Sequence, residues 1–286
     1  MTKVRVPSGA GESRGPLGLL LVAVPVFLLG WMTVWPILSG LVTTLFPKDA
    51  AGFSLELYDR FFSDDYSLDN LRLTLWTCGV TSLILLAVSV PLALYLRFAR
   101  GPLASYVQTL AMFPMFVPSI ILAFAFIRVL GPNGTVDTIL NALGLAKIRS
   151  PYLTVWGPVI GLVWDNIPLT VLILTSGLGA VPNPAIEAAR DVGARPLTLF
   201  VHIILPRMWS SIFVVISLTI LGLFTAFTLP YVLGPASPEM MGPFMQRTFS
   251  DLRNPEMALT QATIVMGFCI LFGLFYVRSV ARNRRD

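Results

Sequence analysis

Residues 187–206 read EAARDVGARPLTLFVHIILP and form a polar interruption in a chain that is otherwise apolar over membrane-length stretches. Just before it, Asn183 can cap a helix, and Pro184 then takes the first helical position, where a missing N–H costs nothing. Gly193 predicts the end of that helix, because helices commonly end on a residue with positive φ. Pro196 can begin a second helix with one apolar face. The stretch therefore predicts two short helices with a bend, lying across the membrane surface.

The spacing inside this stretch resembles a known motif. Its defining residues are Glu187, Ala188, Ala189, Gly193, Ile203, Leu205 and Pro206. They resemble the EAA loop of the integral membrane subunits of binding-protein-dependent ABC importers, and the resemblance covers roughly residues 70–277. It implies the type I ABC importer permease fold, all-α and polytopic with six transmembrane helices.

The resemblance also implies a role for the loop. In such importers a separate pair of ATPase subunits docks on the EAA loops, each loop fitting a cleft on one nucleotide-binding subunit. By resemblance, the contact core and its flanks would be Glu187, Ala188, Ala189, Gly193, Arg190 and Asp191, with Ile203, Leu205 and Pro206 completing the motif. ATP-driven closure would then switch the spans between outward- and inward-facing states. The alternative is an interfacial helix that only lies among lipid headgroups.

The composition excludes an ordinary soluble protein, because 55% of the 286 residues are hydrophobic and only 12% are charged. A helix needs about 20 apolar residues to cross the ~30 Å hydrocarbon core of a bilayer. The chain offers such spans at 17–46, 70–96, 103–130, 152–178, 209–233 and 257–277. We therefore predict one transmembrane permease domain over residues 17–277, containing a cytoplasmic coupling loop at 179–208. Cytoplasmic tails are predicted at 1–16 and 278–286.

Proline and glycine predict local features inside the spans. Pro114 and Pro118 are expected to kink the third span, and Pro168 to break the fourth and free backbone carbonyls. Small residues let membrane helices approach each other closely. Close helix packing is therefore predicted at Gly222, Gly267 and Gly273.

Basic residues are concentrated on one side of the predicted topology, together with both termini and the coupling loop. That side holds Lys3, Arg5, Arg14, Arg97, Arg100, Arg190, Arg195, Arg207, Arg278, Arg282, Arg284 and Arg285. The opposite loops hold Lys48, Arg60, Lys147, Arg149, Arg247 and Arg253, among a larger number of acidic residues. The positive-inside rule predicts that both termini and the loop are cytoplasmic. The resemblance implies that the membrane is the inner membrane of a bacterial cell.

Catalytic and metal motifs are absent from the sequence. No Walker A pattern, HExxH, CxxC or GxSxG occurs, and Cys78 and Cys269 both lie in apolar runs that suit buried thiols better than a disulfide or a metal pair. The chain is expected to be non-catalytic and to bind no cofactor itself, with ATP and Mg²⁺ held by the partner ATPase subunits. The net charge of +5 does not indicate nucleic acid, because basic residues in a membrane protein mostly mark topology.

Two groups of residues are candidates for the substrate pathway. Asp165 is the acid placed well inside an apolar stretch, next to Asn166, and intramembrane acids usually face a cavity or a partner. The alternatives are that Asp165 lies near a span end or pairs with a basic residue such as Arg128. In the fifth span, aromatic and hydroxyl side chains mix at Phe224, Thr225, Phe227, Thr228 and Tyr231, although such stripes also serve packing.

The expected function is the permease subunit of an ATP-driven importer. The segment EAARDVGA most resembles the corresponding segment of the spermidine/putrescine-type permeases. The alternative within the family is a permease for iron(III) or phosphonates. The resemblance implies a second homologous permease, two ATPase subunits and an extracytoplasmic substrate-binding protein as partners within the lipid bilayer. A stand-alone channel or proton-coupled carrier is the alternative from another class, and it would need relays of intramembrane ionisable residues, for which this chain offers only Asp165 and Arg128. A membrane-embedded assembly scaffold would show no nucleotide dependence.

Overall fold

The computed structural model describes residues 16–48, 52–145 and 149–283, and within these ranges the chain is all-α with no strand. The helices are α1 (Pro16–Leu45), α2 (Glu56–Ser63), α3 (Asp65–Phe98), α4 (Pro102–Met112), α5 (Ser119–Leu130), α6 (Thr135–Ala142), α7 (Trp156–Gly179), α8 (Asn183–Asp191), α9 (Pro196–Leu199), α10 (Leu205–Phe224), α11 (Thr228–Leu233), α12 (Met241–Ser250) and α13 (Pro255–Asn283). The predicted tails lie largely outside the described residues, which begin at Pro16 and end at Asn283.

Six helical stretches in the described part of the chain are long and apolar enough to cross a membrane. They are Leu21–Leu45, Asp65–Phe98, Ser119–Ala142, Trp156–Gly179, Pro196–Phe224 and Pro255–Arg278. The prediction of six transmembrane helices is confirmed. The second begins earlier than the predicted residue 70, because Asp64 caps it by accepting a hydrogen bond from the backbone N–H of Ser67 at 2.9 Å.

The third predicted span, 103–130, is broken by its prolines as expected. Helix α4 ends at Met112, a short 3₁₀ turn covers Phe113–Phe116, and Pro118 precedes α5. The membrane-length stretch in this region joins α5 and α6 as Ser119–Ala142, and is shifted towards the C-terminus from the predicted span. Proline breaks helices because it lacks an N–H and its ring clashes with the preceding turn.

The fourth and fifth spans differ from prediction in opposite ways. Helix α7 runs unbroken through the buried Pro168, so the predicted break does not occur. The fifth predicted span, 209–233, is instead interrupted after Phe224, and a separate helix, α11, begins at Thr228. Helix α12 lies within the region predicted as an outer loop up to Glu256.

Helix α7 lies at the centre of the bundle, where it packs along α3 and against α10 and α11. Two of its glycines permit this packing. A Cβ on Gly177 would lie 2.0 Å from the Ser211 hydroxyl oxygen of α10, and one on Gly157 would lie 2.3 Å from the Leu233 carbonyl oxygen. The predicted packing glycines have open surroundings instead: nothing lies within 4 Å of a Cβ built on Gly222, Gly267 or Gly273.

The buried apolar residues form two main clusters. The cluster beneath the coupling loop, here called the loop-side cluster, contains Ala93, Leu174, Leu178, Val181, Ile186, Leu199, Ile204, Met208, Ile212 and Val215. A larger cluster gathers residues of α2, α3, α5, α7 and α10–α13, including Phe61, Leu229 and Met241. The loop-side cluster is therefore the packing that supports the coupling loop.

At the other end of the bundle, side chains of α3 hold the backbone that leads into α12. The Asn70 carbonyl oxygen accepts from the backbone N–H of Glu239 at 2.8 Å, and the Thr74 hydroxyl oxygen accepts from that of Met241 at 2.8 Å. Both side chains are fully buried. Buried backbone N–H groups need such partners, because leaving them unpaired costs the desolvation of each group.

A charged cluster adds to this attachment, and we call Tyr66, Glu239 and Arg247 the loop latch. Arg247 Nη2 lies 2.7 Å from Glu239 Oε1 and also donates to the Tyr66 hydroxyl, which donates to Glu239 at 3.3 Å. Burial raises the pKa of the Glu239 carboxyl above its usual value, and the Arg247 guanidinium and the Tyr66 hydroxyl oppose part of that rise.

Candidate coupling surface and transport pathway

The first predicted short helix is present as α8, and it carries the motif residues on its outer surface. Glu187, Ala188 and Arg190 are exposed, whereas Ile186 is only 4% exposed and belongs to the loop-side cluster. Ala189 is half-buried against the same cluster. One apolar anchor thus holds the helix, and a face with one acid, one base and a small residue remains free to contact another protein.

Helix α8 ends as the sequence predicts. Gly193 has φ +80°, its N–H donates to the Arg190 carbonyl at 2.9 Å, and the Ala194 N–H donates to the Ala189 carbonyl at 2.9 Å. These two bonds are the Schellman arrangement, which satisfies carbonyls that the last turn would leave unpaired. The bend is therefore held by a backbone conformation that favours glycine at this position.

The second predicted short helix is not separate. From Pro196 the chain stays helical through a π-helical segment, Phe200–Ile204, into α10, so this helix is the first part of the fifth span. Ile203 and Leu205 are half-buried beside the loop-side cluster, and Pro206 is exposed at the start of α10. The motif thus divides into an exposed helix, a bend and the buried base of a span.

Asn183 has a different role from the predicted cap. It is the first residue of α8, and its side chain forms no capping hydrogen bond there. Instead, its side-chain amide oxygen accepts a hydrogen bond from Arg97 Nη2 at 2.6 Å. Sequence reasoning gave Arg97 no role beyond marking topology. Its partner lies 86 residues away along the chain, so no local pattern indicates the contact.

Asp165 lies inside α7, on the face that carries Gly157 and Gly161 at intervals of four residues. A Cβ on Gly161 would lie 3.0 Å from a methyl group of Leu233 and 3.5 Å from one of Leu229, so this face of α7 packs on α11. Asp165 lies one turn further along the same face. Its side chain is half-buried and forms no described salt bridge or hydrogen bond, including with Arg128.

Asn166 is satisfied within its own helix. Its side-chain N–H donates to the Leu162 carbonyl at 2.8 Å. Such a bond leaves the amide oxygen available and holds the side chain along the helix. The neighbouring Trp164 packs edge-on against Phe113 and Phe126, which fixes the orientation of this part of α7.

The aromatic and hydroxyl candidates separate into two environments. Phe224 is buried and stacks on Phe268, with ring centroids 5.6 Å apart, so it lies within the core. Thr225 and Phe227 line a cavity of about 340 Å³ with residues of α12 and α13. Tyr231 is exposed and stacks on Phe227, while Thr228 is half-buried at the start of α11.

Comparisons with known proteins agree on one family. A family model described as the binding-protein-dependent transport system inner membrane component matches residues 84–285. The spermidine/putrescine transport system permease protein PotB of Escherichia coli (strain K12) is 28% identical over 263 residues, covering 86% of this chain and 94% of PotB. The molybdenum transport system permease protein ModB of Azotobacter vinelandii is 24% identical over 218 residues, covering 75% of this chain and 95% of ModB.

A solved structure shows the same fold. The crystal structure of a bacterial alginate ABC transporter in complex with an alginate pentasaccharide-bound periplasmic protein contains a chain that matches with a TM-score of 0.77. The match covers 93% of this chain and 94% of that chain at 17% sequence identity. The predicted type I importer permease fold is therefore confirmed. Because the family model matches more than half of its residues, this chain belongs to the binding-protein-dependent transport system inner membrane component family, the permease subunits of ABC importers.

Proposed function

We propose that the chain is the permease subunit of an ATP-driven importer for a polyamine, such as spermidine or putrescine, or a similar small cationic solute. The observation that supports this substrate class is the Asp165 carboxylate. It lies inside the membrane-length helix α7 and has no hydrogen-bond or salt-bridge partner among the described residues. A carboxylate at that position is costly unless it faces water or a cation. The spermidine/putrescine permease of Escherichia coli is among the relatives, which agrees with this proposal.

The geometry of α7 gives the proposal a location. Asp165 continues the face that packs on α11, and the residues just before α11, Thr225 and Phe227, border a cavity. An ammonium group is attracted by carboxylates and by aromatic faces, and α7 offers the Asp165 carboxylate while the residues before α11 offer the Phe227 ring. We propose that the pathway runs between α7 and the start of α11, with Asp165 on its α7 side.

Import of iron(III) or a phosphonate is the alternative within the family. The molybdenum permease among the relatives shows that similar sequences also serve a differently named transport system. A phosphonate carries negative charge and would be repelled by an ionised Asp165. Competition of each compound with polyamine uptake separates these alternatives.

The partner proposals rest on two exposed surfaces. The outer face of α8 offers Glu187, Ala188 and Asp191 to an ATPase subunit. The part of α1 from 21 to 39 is exposed along its whole length, including the stacked pair Trp31 and Trp35. We infer a second permease chain, two ATPase subunits that bind ATP and Mg²⁺, and an extracytoplasmic binding protein. This chain would hydrolyse nothing itself.

We also propose that both termini and α8 face the cytoplasm, on the distribution of basic residues. In a background without Cys78 and Cys269, a cysteine at the exposed Asp59 should react with an impermeant thiol reagent in intact cells. A cysteine at the exposed Arg100 should react only after the membrane is opened. The reverse pattern would overturn the orientation, and equal labelling of both would overturn the six-span topology.

Uptake by membrane vesicles that contain the complete transporter tests the function. We expect ATP-dependent uptake of radiolabelled spermidine in the presence of the binding protein. Asp165→Asn should lower that uptake about tenfold, because losing a charged contact of roughly 1.4 kcal/mol changes an equilibrium by that factor. The amount of assembled complex should stay the same, since Asn keeps the size of the side chain.

Asp69→Asn is the matched control for this substitution. Asp69 pairs with Arg72 at 2.9 Å on an exposed surface, and a surface pair contributes little. It should leave uptake unchanged. Wild-type uptake in Asp165→Asn would make Asp165 structural, and the polyamine proposal would lose its main support. Absence of ATP-dependent uptake of any tested solute, without retained ATPase subunits, would contradict the importer function itself.

A further inference from the structure

Arg97 joins the ends of three helices. It lies in the last turn of α3, and its Nε donates to the carbonyl of Leu178 at 3.4 Å while its Nη2 donates to the side-chain oxygen of Asn183 at 2.6 Å. Leu178 lies in the last turn of α7, and Asn183 is the first residue of α8. One guanidinium thus connects the membrane-length helices α3 and α7 to the start of α8, here called the coupling helix.

Among the described residues, the far end of α8 has no such attachment to α3. A cavity of about 310 Å³ separates Leu94 and Phe98 of α3 from Arg190, Ala194 and Pro196. This space is partly open at the surface and no side chain fills it, so the last turn of α8 has room to move towards α3. The first residue of α8 is bound to α3, and its last turn borders open space.

The bonding of Arg97 differs from that of a topology marker. An arginine at a span end ordinarily extends its charged head towards water or headgroups. Arg97 instead turns onto two neutral oxygens of its own chain and forms no salt bridge among the described residues. Hydrogen bonds from a charged donor are stronger than neutral ones, and the planar guanidinium can serve two acceptors at fixed geometry.

We propose that Arg97 is a positioning residue that fixes the N-terminal end of α8 on α3 and α7 and makes Asn183 the pivot of the coupling helix. A push by the ATPase on the free face of α8 then swings its C-terminal turn towards the cavity and moves α3 and α7 with it. This inference rests on the proposed coupling role of α8. It adds Arg97 as the residue that transmits movement of α8 to the membrane-spanning helices α3 and α7.

The test combines two measurements on the complete transporter. Hydrogen exchange of the backbone amides of residues 186–191 reports how firmly α8 is attached. The amount of spermidine transported per ATP hydrolysed reports how well movement of α8 is passed on to the spans. We expect Arg97→Gln to raise the exchange rate about tenfold and to lower transport per ATP by a similar factor, with ATPase subunits retained. Arg97→Lys should restore part of both, because a single ammonium can reach one acceptor but lacks the fork that serves two.

A second variant and a control distinguish this role from general loosening. Asn183→Asp places a carboxylate against the guanidinium and should slow exchange more in the presence of Arg97 than in the Arg97→Gln background, where only the general effect of an acid in the first turn of α8 remains. Arg100→Gln, an exposed arginine three residues on, should change neither measurement. Unchanged exchange in Arg97→Gln would overturn the inference, and so would faster exchange with normal transport per ATP. Failure of the wild-type complex to retain ATPase subunits would contradict the proposed function first, and the inference with it.

Discussion

Gly193→Val should release the ATPase subunits from the complex while the six spans remain inserted. Gly193 has φ +80°, where a side chain costs about 1–2 kcal/mol in backbone strain and a β-branched residue is least tolerated. A Cβ at this position meets nothing within 4 Å, so no clash inside the chain contributes. The effect therefore comes from the bend, whose loss turns the exposed face of α8 away from its partner. Docking should weaken about tenfold or more.

Pull-down of the ATPase subunits in detergent, alongside spermidine uptake in vesicles, measures this result. Gly193→Asn should be milder, because Asn adopts positive φ more readily than Val. Gly101→Val is the matched control, since Gly101 also has positive φ and open surroundings but lies outside the coupling loop. Glu187→Lys should also loosen docking by reversing a charge on the exposed face. Full ATPase binding and uptake in both Gly193→Val and Glu187→Lys would mean that α8 only lies on lipid.

The features that the sequence predicts well are the local ones. Proline at 184, the small residues that follow and Gly193 act within a few positions of one another, so α8 and its bend follow from the sequence alone. Span number follows from hydropathy, because about 20 apolar residues are needed regardless of the neighbours. The breaks at Pro114 and Pro118 have the same local origin.

Features that depend on neighbours in space were predicted less well. Helix α7 continues through the buried Pro168, at a position where the surrounding helices support a helix that proline would otherwise interrupt. Close helix contacts occur at Gly157 and Gly177 because α11 and α10 pass there, and nothing in the glycine spacing distinguishes these positions from Gly222. The break after Phe224 lies between Gly222 in the last turn of α10 and Pro230 in the first turn of α11, two residues that the prediction of one continuous span, 209–233, did not treat as a stop.

The polar contacts that organise the two ends of the bundle are also long-range. Arg97 and Asn183 are 86 residues apart, and Tyr66 and Arg247 are 181 apart. In the sequence, each of these four residues lies at a span end or in a loop, and nothing near it along the chain indicates its partner. The substrate candidates share this difficulty, since Asp165 is recognisable as an intramembrane acid but the sequence does not show which helices pack around its position on α7.

We expect Arg247→Met to loosen the segment that leads into α12 and to lower the stability of the chain by about 2 kcal/mol. Removing one partner of a buried ion pair typically costs about 3–5 kcal/mol, because the other charge stays behind unpaired. The Glu239 side chain is 11% exposed and that of Arg247 is 37% exposed, so solvent screens part of the loss. A shift of about 5 °C in Tm, measured on the purified chain in detergent, corresponds to this figure.

The pH dependence of that loss identifies its cause. Glu239 has a pKa raised by burial, so the folded chain holds its proton to higher pH than the unfolded chain, and stability falls as pH rises through that interval. Removing Arg247 takes away the charge that opposes the rise. The Tm deficit of Arg247→Met should therefore be larger at pH 8 than at pH 5, and Glu239→Gln in the same chain should remove both the excess loss and its pH dependence.

Arg60→Met supplies the comparison that makes this result specific. Arg60 also pairs with a glutamate, Glu56, but both side chains are more than half exposed, and a surface pair of this kind contributes about 0.5 kcal/mol or less. Its Tm should stay close to wild type at both pH values. If Arg247→Met and Arg60→Met behave alike, the loop latch contributes no more than a surface pair. The hydrogen bonds from Asn70 and Thr74 to the backbone would then be what holds this segment on α3.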